Sequence, residues 1–194
     1  VQAETRTGHV GVARHPEDYF PLLVMNTILG GAFTSRLNMS LRERHGFTYG
    51  ARSGFAFRRR PGPFIVQAAV ATEVTARAVE EALKELESLR QDGATGEEVA
   101  AARDYLRGIL PLELQTTDQL ASRLADLVVF ELPDDYFQQY RERIGAVSPE
   151  EVHRVAREHL RSDRLAVVVV GDAEKVASDL ESLDIGPVVI RQSD

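Results

Sequence analysis

The chain has 194 residues, 43% of them hydrophobic and 27% charged, which supplies enough apolar surface for a core, excludes a disordered chain, and suits one compact unit or two small ones sharing a core. Its longest apolar run, residues 165–170, is far short of a membrane span and no leader-like segment opens the chain, so membrane insertion is not expected; the lack of cysteine excludes a disulfide scaffold, a thiolate zinc site and a cysteine nucleophile. The net charge of −7 is uneven, with nine Arg against four acids in residues 1–60 and 14 bases against 26 acids in the remainder. A basic first third suits an acidic partner or a peptide, whereas the acidic remainder argues against a nucleic-acid binder. The chain opens on Val1 in a strand-like stretch, and is expected to be a piece of a longer one. Composition leaves the compartment open, a bacterial cytoplasm and a periplasm being equally compatible.

Residues 1–13 alternate around Gly8 and Gly11 and read as a first strand. Pro16 favours a helix start. Residues 19–29 then carry a helical stripe of Phe20, Leu23, Val24 and Ile28, which Gly30 and Gly31 are expected to stop. A second, short helix should begin at Thr34 or Ser35, either of which can cap it, and run through Leu37 and Leu41 to Gly46. Residues 47–57 form the first arm of a hairpin, with Phe47, Tyr49, Ala51, Phe55 and Phe57 on one face and Thr48, Gly50, Arg52 and Gly54 on the other. Residues 58–63 are its turn, with Arg58, Arg59 and Arg60 at a solvated tip, and residues 64–71 return.

From Thr72 or Glu73 a helix carries Val79, Leu83, Leu86 and Leu89 at helical spacing until Gly93 ends it. Three capping boxes follow, Thr95 with Glu98, Thr116 with Gln119, and Ser148 with Glu151, the last with Pro149 at the first helical position. A further helix is expected over 134–144, after the Pro133 break. Residues 164–170 are β-branched and close at Gly171 and Asp172, which suits a central strand, and 188–190 is read as a short edge strand. The condensed order, β-α-α-β-β-α-α-α-α-β, predicts an α+β fold with a mainly antiparallel sheet covered on one face by helices.

The five histidines, His9, His15, His45, His153 and His159, offer no metal pair: His153 and His159 are six positions apart, so their rings do not share a helix face. His159 suits the end of a helix, where its charge meets the dipole. No phosphate loop or serine-hydrolase signature is present. The remaining candidate is the stretch from Leu41 to Tyr49, in which Arg42 falls on the last turn of the short helix and Tyr49 on the strand after the Gly46 stop. A phenol can donate to a developing oxyanion, and a guanidinium adds fixed positive charge and peptide-carbonyl contacts. The competing reading has Arg42 complementing a helix end and Tyr49 packed as core on the apolar strand face.

Ile28, Leu29, Gly30 and Gly31, then Ser35, Arg36 and Leu37, then Leu41, Arg42 and Glu43 with Gly46 and Tyr49 resemble the C-terminal, non-zinc half of the M16 peptidases, the group that includes pitrilysin and mitochondrial processing peptidase. The stretch from Gly93 to Glu98 and the closing Val169, Val170, Gly171 and Asp172 are similar as well, so the resemblance covers nearly the whole chain. It implies a LuxS/processing-peptidase-like metallohydrolase fold, with residues 1–194 forming a single domain that is a fragment of a two-domain peptidase or one subunit of a heterodimer. It also implies a partner half, in the same polypeptide or a separate subunit, whose His-x-x-Glu-His motif holds the zinc; this chain would hold none. Arg42 and Tyr49 would then be catalytic and the chain alone inactive, while the basic charge of the first third makes Arg36 and Arg52 the expected peptide-binding residues. The alternative within the same fold is a non-catalytic interaction or scaffold subunit, like the core proteins of respiratory complexes.

Overall fold

Four antiparallel strands, β1 (Gln2–Val10), β2 (Thr48–Phe55), β3 (Pro63–Ala71) and β4 (Ala166–Val170), form one sheet in the order β2-β3-β1-β4 in a computed structural model that describes residues 2–14 and 17–191. Pro16 and His15 lie outside the described residues. Strand alternation decides which face is buried. Ala3, Thr5, Thr7 and His9 of β1 oppose Val70, Ala68, Val66 and Phe64 of β3, and all eight are buried. The intervening Arg6 and Gln67, with Val168 of β4, fall on the opposite, open face.

Helices cover the buried face. The longest, α2 (Thr75–Asp92), puts Val79, Ala82, Leu86 and Leu89 against the sheet, and full burial of each leucine stabilises the fold by about 1.5–3 kcal/mol. It follows the one-turn 3₁₀ segment Thr72–Val74 and ends at Gly93, whose φ of +77° only glycine adopts without strain. All three capping boxes form as read, opening α3 (Gly96–Ile109), α4 (Thr117–Val129) and α6 (Pro149–His159), with α5 (Tyr136–Ala146) between the last two. The condensed order therefore undercounts by one: five α-helices lie between β3 and β4.

Three further corrections concern the C-terminal part, the first being that β4, read as a central strand, lies at the edge of the sheet beside β1. The sequence reading stopped at Asp172, but α7 (Ala173–Glu181) starts there and buries Val176. Residues 188–190 form no strand. They follow Pro187, which has no N–H to donate, and so short a run makes too few ladder bonds to hold; Val189 and Ile190 are exposed.

Near the N-terminus, the helix that begins as α1 (Tyr19–Asn26) ends at its glycines, as read, but not as a plain α-helix. It widens into a π-helical turn, Thr27–Gly31. The reason is contact: a Cβ built on Gly30 would stand 2.5 Å from both the backbone N and Oγ of Ser53 in β2. Only a glycine lets this turn approach the strand so closely.

Candidate functional site

The segment between Gly31 and β2 is short, polar and tightly fastened. Its second π-helix, Asn38–Arg44, places Arg42 on the last turn as expected. π-Helical turns are rare and recur at functional sites. The helix ends on Gly46 at φ +65°, with Gly46 N–H donating to Arg42 O at 3.0 Å and Phe47 N–H to Leu41 O at 2.8 Å, a Schellman-type stop widened by one residue. Ser35 does not cap a backbone amide; its Oγ accepts from the Asn38 side chain at 3.1 Å.

The Arg42 guanidinium lies 4.2 Å over the ring of Phe33, which is 67% exposed. Its Nε stands 3.6 Å from Glu43, and its Nη1 is buried without a hydrogen-bond partner. Of the neighbouring bases, Arg44 is only 4.0 Å from Glu85, while His45 pairs with Glu81 at 3.4 Å and stacks on Phe47.

Tyr49 is not on the apolar face. Simple alternation from Phe47 to Phe57 fails because the β2–β3 ladder carries a bulge: Thr48 pairs with Val70 but Ala51 pairs with Ala68, three steps on one strand against two on the other. The extra residue leaves Tyr49 and Gly50 both exposed, Tyr49 by 91%. The core-tyrosine reading therefore does not hold. Among the described residues no hydrogen bond, ion pair or ring contact joins Tyr49 to Arg42, and the phenol hydroxyl has no protein partner.

Two side chains that the sequence reading passed over hold this bulge. Asn38, buried, accepts from Ala51 N–H through Oδ1 at 2.9 Å and donates through Nδ2 to Ala51 O at 3.0 Å. The Thr48 hydroxyl donates to Ala69 O at 2.7 Å, with Gly50 O at 2.9 Å, and accepts from Gly50 N–H at 3.1 Å. Nothing local singles out Asn38, whose helical neighbours Thr34, Ser35 and Arg42 are polar as well. The same holds for Thr48, because its role exists only against β3.

Arg36, expected among the peptide-binding residues, is committed within the chain. Nε and Nη2 pair with both oxygens of Glu98 at 2.6 and 2.8 Å, and Nη2 also reaches Gly93 O at 3.0 Å. Hydrogen bonding from Arg36 holds the Glu98 carboxyl below its ordinary range, and the same carboxylate closes the Thr95 capping box. Arg52 is exposed on β2 and makes no ion pair among the described residues. Neither Arg42 nor Tyr49 lines the cleft of about 490 Å³ bounded by Met39, Arg44, Glu85, Glu98 and Tyr105.

The described histidines are scattered. His9 is in the core, His153 Nε2–H donates to Gln91 O at 3.1 Å, and His159 meets Asp18 at 2.9 Å at the end of α6. One trio of potential metal ligands, Asp18, Glu158 and His159, has its ligand atoms within 4.8 Å of one another. Arg154 already occupies it, 2.6 Å from Asp18 and 2.9 Å from Glu158. Burial pushes the Asp18 carboxyl up, but hydrogen bonds from Arg154 and His159 outweigh it and hold the group below the usual range. A guanidinium at its centre makes this trio a poor cation site.

The fold is thus an α+β layer with helices on one face of an antiparallel sheet, presenting Arg42 on a π-helix and an exposed Tyr49 on the strand that follows. Residues 6–106 match the family model described as the Peptidase M16 inactive domain, and the chain belongs to that family. It is similar to an uncharacterized zinc protease of Mycobacterium bovis, 34% identical over 80% of this chain and 35% of that one, and to another of Streptomyces coelicolor, 31% identical over 86% and 37%. The solved peptidase M16 inactive domain from Pseudomonas fluorescens superposes with a TM-score of 0.80 at 25% identity, covering 87% of this chain and 40% of that one. The chain thus spans little more than a third of the length of these curated relatives.

Proposed function

We propose that this chain is the non-zinc half of an M16-type zinc metalloendopeptidase and supplies Tyr49 and Arg42 to a reaction centred on a partner half, in the same polypeptide or a separate subunit. The observation that carries the reading is the bulge that turns a tyrosine out of the sheet, with its hydroxyl unengaged, beside the helix end bearing Arg42. The Asp18, Glu158 and His159 trio does not fit a catalytic metal, so zinc is assigned to the partner, where it would supply an activated water and a polarised peptide carbonyl. Tyr49 donates its phenolic proton as a hydrogen bond to the oxygen that becomes negative as water adds. Arg42, held over Phe33, binds a peptide carbonyl and adds fixed positive charge before and during that step.

The test is kinetic and uses the assembled enzyme. Tyr49→Phe should lower kcat by roughly ten- to a thousandfold, the range for losing one such donor. Its melting should stay within about 0.5 kcal/mol of the parent, because the ring is exposed. Arg42→Ala should raise KM and lower kcat together. Full activity of Tyr49→Phe would overturn the assignment and favour the scaffold reading, which gives that hydroxyl no task.

A further inference from the structure

We propose that Asn38 and Thr48 are positioning residues: together they lock the β2 bulge and so fix where Tyr49 points. The inference rests on the reading of Tyr49 as the oxyanion donor and deepens it. Of the three strand pairings in the sheet, those of β1 with β3 and of β1 with β4 run without a break, and the single irregularity, between β2 and β3, falls at Tyr49. Left alone, that stretch would be loose. It has one residue too many for its partner strand, the neighbour of Tyr49 is Gly50, which has the widest conformational range of any residue, and β2 is an edge strand with no second neighbour.

The structure braces both sides of it. On the N-terminal side the Thr48 hydroxyl spans the gap in the ladder, bonded to Ala69 O on β3 at 2.7 Å and to Gly50 N–H at 3.1 Å, so one oxygen ties the extra residue to the sheet. On the C-terminal side the Asn38 amide bonds both Ala51 N–H and Ala51 O, as a neighbouring strand would. Two more contacts anchor the brace to the helix side, since Asn38 Nδ2 also reaches Ser35 Oγ at 3.1 Å and Ala32 O at 3.2 Å. Asn38 therefore links the segment that starts the Arg42 helix to the strand that carries Tyr49.

Burying an amide in this way gains little stability over an apolar residue of similar size. What it provides is a fixed register between two chemically active elements. A donor displaced by about 1 Å loses catalysis roughly a hundredfold, so a bulge that wanders by that much would forfeit most of what Tyr49 contributes.

The decisive variant is Thr48→Val, which keeps the shape and removes the hydroxyl, with Thr48→Ser as the conservative rescue and Asn38→Ala as a second probe. Amide hydrogen exchange on the full chain gives a readout independent of activity. Gly50 N–H should exchange faster in Thr48→Val and return to the parent rate in Thr48→Ser; Ala51 N–H should exchange faster in Asn38→Ala. In the assembled peptidase, Thr48→Val should lower kcat by roughly ten- to a hundredfold with little change in KM, and Thr48→Ser should recover most of it. In a Tyr49→Phe background Thr48→Val should cost nothing more, because it acts through the missing hydroxyl. Equal losses in both backgrounds, or unchanged exchange at Gly50, would overturn the positioning role. Full activity of Tyr49→Phe would instead remove the reading beneath it, whereas a slow Tyr49→Phe beside a full-speed Thr48→Val would overturn this inference alone.

Discussion

Gly30→Ala is the sharpest structural test of how the site is assembled, because the cost can be worked from contacts. The added methyl would sit 2.5 Å from Ser53 N and Ser53 Oγ and 2.8 Å from Leu37 Cδ1. Leu37 can turn aside, but Ser53 cannot. It is paired with Val66 in the ladder, donates through Oγ to Asn26 Oδ1 at 2.8 Å, and accepts at its carbonyl from Asn26 Nδ2 at 3.1 Å. Overpacking of this kind costs about 1–3 kcal/mol, offset by the 0.5–1 kcal/mol or so that Gly→Ala returns to a helix in chain entropy. A net loss of about 1–2 kcal/mol should lower Tm by roughly 2–8 °C in a chain of this size. Thermal melts followed by circular dichroism, with urea midpoints at unchanged slope, measure it. Gly31→Ala is the control: its nearest neighbours, the Asn26 carbonyl oxygen and Nδ2, stand at 3.1 and 3.2 Å and need to give by only a few tenths of an ångström. A Gly30→Ala protein as stable as the parent, or a Gly31→Ala protein more damaged than it, would refute the close-approach argument.

Acid sensitivity should trace in part to His9, whose ring is buried beside Phe64, hydrogen-bonded at Nδ1 to Val10 O and at Nε2 to Arg161 N–H. Burial, then the Arg161 charge, hold its pKa below the ordinary 6.5 against the bond to Val10, which raises it; the folded chain then binds fewer protons than the unfolded one, so stability is full above about pH 6.5 and falls as pH drops from there to the folded value. Melts from pH 5 to 8 should show that fall, and His9→Gln should flatten it; a parent with no slope would refute it. Arg36→Ala should destabilise by about 1–2 kcal/mol in urea melts, through the lost Glu98 and Gly93 bonds, with Glu98→Gln costing less because glutamine still closes the capping box; an effect on peptide affinity with unchanged stability would return Arg36 to the substrate. After dialysis the isolated chain should retain no stoichiometric zinc, measured by metal analysis, and one zinc per chain lost on changing His159 would overturn the assignment of the metal to the partner.

What the sequence made legible was what is encoded locally. The three capping boxes needed only residues three positions apart, and Gly93 and Gly46 announced helix ends through a backbone angle that other residues avoid. Arg42 was found on its helical turn for the same reason. Tyr49 was assigned the right strand and the wrong side, because parity counts correctly only until a bulge, and the bulge is defined by the register of β3 some twenty residues on. Gly30 and Gly31 mark the helix end in the sequence, but the close approach of Gly30 to Ser53 is not visible there, since nothing local distinguishes a glycine that only ends a helix from one that also lets it touch a strand. Arg36 looked free for substrate until Glu98, 62 positions away, was folded against it.

The charge asymmetry has the same resolution. Nine arginines in the first sixty residues suggested a surface built for an acidic partner, yet the fold joins several of them to the acidic remainder of the same chain: Arg36 to Glu98, Arg44 to Glu85 and Arg59 to Glu131. Arg14 is enclosed by the rings of Tyr19, Phe130 and Tyr136 and donates to the Tyr136 hydroxyl at 2.8 Å. The two parts of the sequence are thus partly complementary to each other, three arginines of the first sixty residues meeting acids of the remainder. What remains near the bulge is Arg52, unpaired among the described residues, and Arg42, whose partner is a ring below and a Glu43 carboxylate at 3.6 Å. Arg42 and Arg52 are thus the guanidiniums near the bulge that the chain's own carboxylates compensate least, which on the reading of Tyr49 proposed above makes them the ones to test for peptide contacts.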